Sequence, residues 1–157
     1  MENSLLVYGL LGALAIALLH AAYTDIVRRE IEDWLTAGIA LAAPLFWLTS
    51  GLSLWPDMAL QLALGTGVFV VFALIFAIGA MGGGDVKLLG AIALWFPWQV
   101  MLKVAIVMSL IGAVLTVLVV AIHKIRRKEG QPEIPYGVAI TIAALGPIGQ
   151  RFLNHFA

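Results

Sequence analysis

Met81-Gly82-Gly83-Gly84-Asp85-Val86-Lys87 places an acid and a base behind three consecutive glycines, directly after a long apolar run. The flanking apolar segments are too long for the core helices of a soluble protein, so the fold is read as a helical bundle in a membrane. An ionisable residue at the edge of a span is costly to bury and marks a candidate functional site. Glycines beside it let the backbone bend and let another chain approach closely.

Composition agrees with that reading. The 157 residues are 62% hydrophobic and 11% charged, whereas soluble domains are about a quarter charged. The expected fold is all-α, a single membrane-embedded domain over residues 1–157 with six transmembrane helices. A formal net charge of zero argues against a nucleic-acid partner. The absence of cysteine excludes disulfides, a Cys-based zinc site and a thiol nucleophile. Met1-Glu2-Asn3-Ser4 lacks the basic start of a signal peptide, so the first apolar run is expected to be retained.

Six segments read as helices: about 4–23, 34–50, 58–80, 86–97, 100–122 and 136–156, with Pro44 as a kink site. The fourth is short. A dozen residues rise only ~18 Å against a ~30 Å hydrocarbon core. Charge nevertheless favours a crossing. With six crossings, Arg28, Arg29, Lys87, Lys124, Arg126, Arg127 and Lys128 share one side, and only Lys103 and Arg151 face the other. That asymmetry puts the basic side in the cytoplasm and both termini outside. Tyr23, Trp34 and Tyr136 then fall at cytoplasmic ends, and Trp55, Trp95, Trp98 and Phe152 toward outer ends, as an aromatic belt. Gly65, Gly67, Ser109, Gly112 and Ala113 are candidates for close helix contacts. His123–Glu133 reads as a solvated loop stopped by Pro132 and Pro135.

Orientation places Asp25, near the end of the first span, on the same side as Asp85. Two carboxylates that share a site do not both ionise readily, so the pair holds one proton between them. One can then take a proton from water while the other donates to a scissile carbonyl. Such a pair titrates as a unit, which leaves the acid and base roles unassigned.

These residues resemble a known family. Gly82-Gly83-Gly84-Asp85 fits the GxGD signature of intramembrane aspartyl proteases, and residues 82–91, Gly-Gly-Gly-Asp-Val-Lys-Leu-Leu-Gly-Ala, are similar to type IV prepilin peptidases. So are an Asp followed by a short Arg-containing loop, Asp25 to Trp34, and Ile-Pro-Tyr-Gly-Val-Ala-Ile at 134–140. The resemblance covers nearly the whole chain. It implies an endopeptidase with Asp25 and Asp85 in the catalytic positions, working without metal or cofactor in the inner (plasma) membrane. The implied partners are type IV pilin-like precursors, whose basic leader is cut at the cytoplasmic face, usually after a glycine, and membrane lipid. Gly82, Gly83 and Gly84 would keep side chains out of the path of the peptide. Lys87 is read as a topology anchor, or as a charge that biases the acid pair. Tyr136 and Gly137 begin the last span or approach substrate.

Two departures stand out. Larger members carry a cytoplasmic insert with four zinc-binding cysteines and methylate the new N-terminus. Here the first loop is about ten residues long and cysteine is absent, which resembles a minimal, peptidase-only form. The loop also reads Arg29-Glu30-Ile31-Glu32-Asp33-Trp34 in place of an Arg-Ile-Pro-Asn-like string. Glu32 and Asp33 are expected to cap the second span or to be solvated. His20 is expected to be a hydrogen-bonded bundle residue. Two other function classes suit membrane acids. A metal-dependent lipid-phosphate transferase would need more clustered carboxylates, and a proton-coupled transporter would place them nearer the midplane.

Overall fold

A computed structural model describes residues 2–126 and 134–156; Arg127, Lys128 and most of the expected His123–Glu133 loop lie outside them. Among the described residues the chain is all-helical, with six helices: α1 Glu2–Arg28, α2 Asp33–Thr49, α3 Ala59–Ala77, α4 Gly83–Ala93, α5 Trp98–Ile125 and α6 Tyr136–Phe156. A short helical lead-in over Leu54–Met58, broken by an extended Trp55, precedes α3. Three segments are long and apolar enough to cross a membrane: Ser4–Arg28, Leu54–Ala77 and Trp98–Ile125, with hydropathies of 2.2, 2.3 and 2.8.

The helices alternate in direction. At one end, Asp25 of α1 meets Gly137 of α6, and Lys87 of α4 reaches Asp33 of α2. At the other, Tyr8 of α1 packs on Phe152 of α6, with ring centroids 5.2 Å apart, and the Arg151 guanidinium lies 5.4 Å over the Phe46 ring of α2. The ends of α1 and α3 and the starts of α2, α4 and α6 therefore share one end of the bundle. α5 passes this level at Gly112 and Thr116, where it meets Tyr136, and continues to Ile125.

α4 is the central element. It packs against α2, α3 and α6, and eight of its eleven residues are buried, Asp85 among them. α3, by contrast, buries only Gly65. One side of it packs on α4 through Gln61, Val68, Phe69 and Phe72, while Leu60, Leu62, Val70, Val71 and Leu74 are exposed. α5 buries Met101, Val104, Met108 and Gly112, a single stripe at helical spacing.

At ~1.5 Å per residue α4 is only ~16 Å long, and its far end stops inside the bundle. The last carbonyls of a helix have no partner within it, and they are costly to leave bare away from water. Two other helices supply the donors. The Gln61 amide of α3 donates to the carbonyls of Ala93 and Phe96, each at 2.7 Å, and the Trp47 indole of α2 donates to Leu94 O at 2.6 Å.

Trp95 departs from the interfacial role expected for it. It is 3% exposed, stacks on Phe46 with centroids 4.9 Å apart, and donates its indole N–H to Ile39 O at 2.9 Å. Tyr136 is also turned inward, toward α5. Tyr23, Trp34, Trp55 and Trp98 are exposed, as a belt requires. Of the small residues picked out for close helix contacts, Gly65 lies against Leu94 and Gly112 against the Tyr136 ring, while nothing approaches Gly67. α2 runs on through Pro44, and α6 contains a second internal proline, Pro147.

Candidate active site

Asp25 sits in the last turn of α1 and is 7% exposed. α1 continues past it to Arg28 and ends on Arg29, whose φ of 56° is left-handed. The Arg29 N–H donates back to Asp25 O at 3.1 Å. A left-handed conformation is unusual for a residue with a side chain, and here it turns the chain back over the bundle end. The Asp25 carboxylate faces the backbone N–H groups of Gly137 and Val138 in the first turn of α6, where the partial positive charge of a helix start favours an anion. Its Oδ2 is buried and has no hydrogen-bond partner among the described residues.

Asp85 is 8% exposed and lies in the first turn of α4. Gly82 is the residue before that helix, with an extended backbone (φ −74°, ψ 146°), and its N–H faces the Asp85 carboxylate. Asp85, the third residue of the helix, thus lies where a side chain can reach back toward a free amide at the helix start. Asp25 lies within electrostatic reach of Asp85.

The three glycines do different things. A Cβ on Gly82 would come within 2.9 Å of Asp85 Oδ2. One on Gly84 would lie 3.1 Å from Ile31 Cβ, tighter than an ordinary contact. One on Gly83 would meet only the Phe76 ring at 3.5 Å, which is normal packing. Backbone freedom is used nearby instead, at Gly79, whose φ of +75° ends α3. Ala80 N–H closes onto Ile75 O at 3.2 Å and Gly79 N–H onto Phe76 O at 2.8 Å, the bond pattern of a left-handed helix terminus.

Gly137 is the tightest of the glycines beside the two acids. A Cβ there would lie 2.8 Å from Asp25 Oδ2 and 2.9 Å from Ile31 Cδ1. Tyr136 is turned away toward α5. Its hydroxyl is 3.2 Å from Thr116 Oγ1, and its ring lies against Gly112. Tyr136 thus pins the start of α6, and Gly137 beside it meets the acid. Thr141 Oγ1 donates to Leu18 O at 2.9 Å and ties the same two helices together one turn deeper.

Lys87 points elsewhere. Its Nζ pairs with Asp33 Oδ1 at 2.6 Å, at a cavity of ≈ 460 Å³ between α2, α3 and α4. Glu32 precedes α2 but caps nothing through its side chain. It bridges Arg28 Nη1 at 3.2 Å and His20 Nε2 at 3.3 Å, and His20 also packs against Trp34.

Ile31 was not among the sequence candidates, although it touches the glycines beside both acids. The signal for it was a lone apolar residue within Arg28-Arg29-Glu30-Ile31-Glu32-Asp33.

Comparison with known proteins gives the family. The model of the type IV leader peptidase family matches residues 12–117. A prepilin leader peptidase/N-methyltransferase of Stutzerimonas stutzeri is 31% identical over 146 residues, covering 86% of this chain and 47% of that protein. The protein of the same name from Aeromonas hydrophila is 28% identical over 142 residues, covering 87% and 48%. That from Pseudomonas aeruginosa is 36% identical over 76 residues, covering 48% and 25%. The chain thus spans about half the length of these relatives, or less. No solved structure matches it significantly. With Asp25, Gly82–Asp85 and the intervening helices all inside the matched region, the chain belongs to the type IV leader peptidase family.

Proposed function

We propose that this protein is an aspartyl endopeptidase that removes the leader of type IV pilin-like precursors, with Asp25 and Asp85 as its catalytic pair. One observation carries the reading. Two buried carboxylates on helices far apart in sequence are gathered at one end of the bundle, Asp25 against Gly137 and Asp85 next to Gly84, with Ile31 touching both glycines.

The chemistry follows from that arrangement. A pair sharing one proton holds a base and an acid at once. The ionised carboxylate takes a proton from water, whose oxygen attacks the scissile carbonyl. The protonated carboxyl gives its proton to the carbonyl oxygen. Collapse of the tetrahedral intermediate breaks the C–N bond, and the departing amine leaves with a proton from the pair. The Gly137 and Val138 amides face the Asp25 carboxylate, and the Gly82 amide faces that of Asp85. Neither step calls on a metal or cofactor.

The membrane reading extends the three long apolar segments to six crossings in the inner membrane, with α4 a half-length crossing completed by its neighbours. The end bearing the acids faces the cytoplasm, where Arg28, Arg29, Lys87, Lys124 and Arg126 gather. Both termini lie outside, and lipid surrounds the bundle. The relatives' name includes an N-methyltransferase. Only Arg29–Glu32 separate α1 from α2 here, and the chain has no cysteine, so peptidase activity alone is proposed.

Incubation with a pilin precursor, with or without a methyl donor, tests this. The wild type is expected to release a new, unmethylated N-terminus, read by mass spectrometry. Asp25→Asn and Asp85→Asn are each expected to lower the rate by roughly 10²–10⁴-fold, the usual worth of a positioned acid or base. Folded variants that cut like the wild type would rule the mechanism out.

A further inference from the structure

Helices α1, α2, α4 and α6 pack on one another in a ring, and the other two are attached from outside: α3 on α4, and α5 on α6. A cavity of ≈ 300 Å³ lies in the groove between those outer two. Phe72 and Met81 line it from α3 and the turn that follows, Met108, Ser109 and Ala113 from α5, and Tyr136 from α6. Met81 precedes Gly82, which lies against Asp85, and Tyr136 precedes Gly137, which lies against Asp25. The lining of the groove thus ends one residue from each of these glycines.

Most of the outer surface of α5 is bulky: Leu102, Ile106, Leu110, Val114 and Val117 are exposed. The groove side breaks that pattern. Ala105, Ser109 and Ala113 recur every fourth residue, and the last two line the cavity. Ser109 Oγ donates to Ala105 O at 2.7 Å, so the hydroxyl needs no partner from outside the helix. Small residues at this spacing let two helix backbones approach closely in a membrane. Among the described residues no helix closes on the row, and Ser109 and Ala113 stay exposed. The lining carries no charged side chain, and Met81 and Met108 are unbranched side chains that adapt to different surfaces.

We propose that the groove between α3 and α5 receives the apolar segment of the precursor as a transmembrane helix, packed along Ala105, Ser109 and Ala113. The inference rests on the reading of the chain as a leader peptidase. In that reaction the residue after the cut begins an apolar segment that enters the bilayer, so the segment must leave the acid pair along one face of the bundle. This groove begins beside the glycines of both acids. The cavity between α2 and α3, headed by the Lys87–Asp33 pair, includes no residue of α6, the helix that meets Asp25. A helix with its side chains is ~10 Å across, too wide to sink into a cavity of this size. It lies along the groove with one row of side chains inserted and the rest in lipid. So shallow a seat also lets the cut segment leave.

Two other occupants of the groove give different outcomes. A second copy of the chain joins through the same small residues with no precursor present. Lipid chains fill the groove and hold no polypeptide there.

Disulfide cross-linking tests this, because the chain has no cysteine of its own. Ser109→Cys and Ala113→Cys probe the groove. Val107→Cys and Val114→Cys are exposed positions of α5 turned away from it, and Ala37→Cys probes the cavity between α2 and α3. Each is combined in membranes with a pilin precursor carrying one cysteine, moved through about three helical turns after the cut. An Asp25→Asn background keeps the precursor whole. Ser109→Cys and Ala113→Cys are expected to cross-link at least tenfold more than the other three, at precursor positions three to four residues apart. Ala113→Leu, in the otherwise wild-type enzyme, is expected to crowd the groove and lower kcat/KM about tenfold, mainly through KM. Equal yields from the two sides of α5, cross-links led by Ala37→Cys, dimers through Ser109→Cys in place of precursor adducts, no adduct at all, or an unchanged kcat/KM for Ala113→Leu each overturn the proposal. The peptidase reading survives those results if the wild type cuts the precursor. A wild type that cuts none overturns that reading, and this inference with it.

Discussion

The proposed catalytic role of Asp25 and Asp85 depends on how they are held, and two glycines near them differ in what a side chain would meet. At Gly137 any side chain collides with Asp25 Oδ2 and Ile31 Cδ1, at 2.8 and 2.9 Å. Both neighbours are buried, so neither swings away freely. Gly137→Ala is expected to displace Asp25 and lower kcat/KM about 10²-fold, the scale of an ångström-sized misplacement of reacting groups. At Gly83 the same change meets only a phenyl ring at ordinary distance, and Gly83→Ala is expected to stay within a few-fold of wild type. Side-by-side cleavage assays separate the two positions. Lys87→Ala removes a surface pair, with side chains 46% and 76% exposed. It is expected to cost at most about 1 kcal/mol in thermal unfolding, and less in high salt. The sequence singled out Asp25, Asp85 and Gly137 because each sits in a recognisable string, but it read Gly137 as a helix start or a substrate contact and not as the neighbour of Asp25. It did not tell Gly82 and Gly84 from Gly83, nor reveal Ile31. Those distinctions depend on contacts between residues far apart in sequence, such as Ile31 and Gly137.

Helix ends set the depth of the site, and α4 is the element on which that depends. Its last carbonyls are bonded by side chains from α3 and α2, which allows a short helix to stop inside a membrane bundle. Gln61→Leu keeps the side chain's bulk but strips donors from Ala93 O and Phe96 O. Unsatisfied buried carbonyls cost about 1–3 kcal/mol. A fall in detergent-phase thermal stability of that order is the expected outcome, checked by unfolding with the wild type alongside. The existence of all six helices was readable from apolar run lengths, and the bounds of α6 match. The bounds of α1 and α4 do not: α1 runs to Arg28 instead of residue 23, and α4 begins at Gly83 instead of residue 86. In both cases backbone bonding carries the helix through ionisable residues that hydropathy treats as its edge. Trp95 misled for a related reason. An indole near the end of a span reads as part of an interfacial belt, and only the fold shows that its N–H has a partner in α2.

Over the whole molecule, alternation of the helices turns charge bias into a testable orientation. The end that holds the acids also carries Arg28, Arg29, Lys87 and Lys124, while Lys103 and Arg151 belong to helix portions at the other end. If the basic end is cytoplasmic, the leader of a precursor reaches Asp25 and Asp85 without crossing the membrane. The opposite orientation would put the pair where no uncut leader is exposed. The absence of cysteine makes the test clean, since any introduced thiol is the sole one. Glu30→Cys marks the exposed loop at the acid end, and Asn154→Cys marks an exposed position near the end of α6. A membrane-impermeant thiol reagent applied to intact cells whose outer barrier has been opened is expected to label Asn154→Cys and spare Glu30→Cys. Inverted membrane vesicles are expected to show the reverse. Labelling of both positions from one side would break the alternating six-crossing arrangement. Exchange of the two patterns would keep the bundle but place its acids on the wrong face for a cytoplasmic leader, and the proposed substrate would go with it.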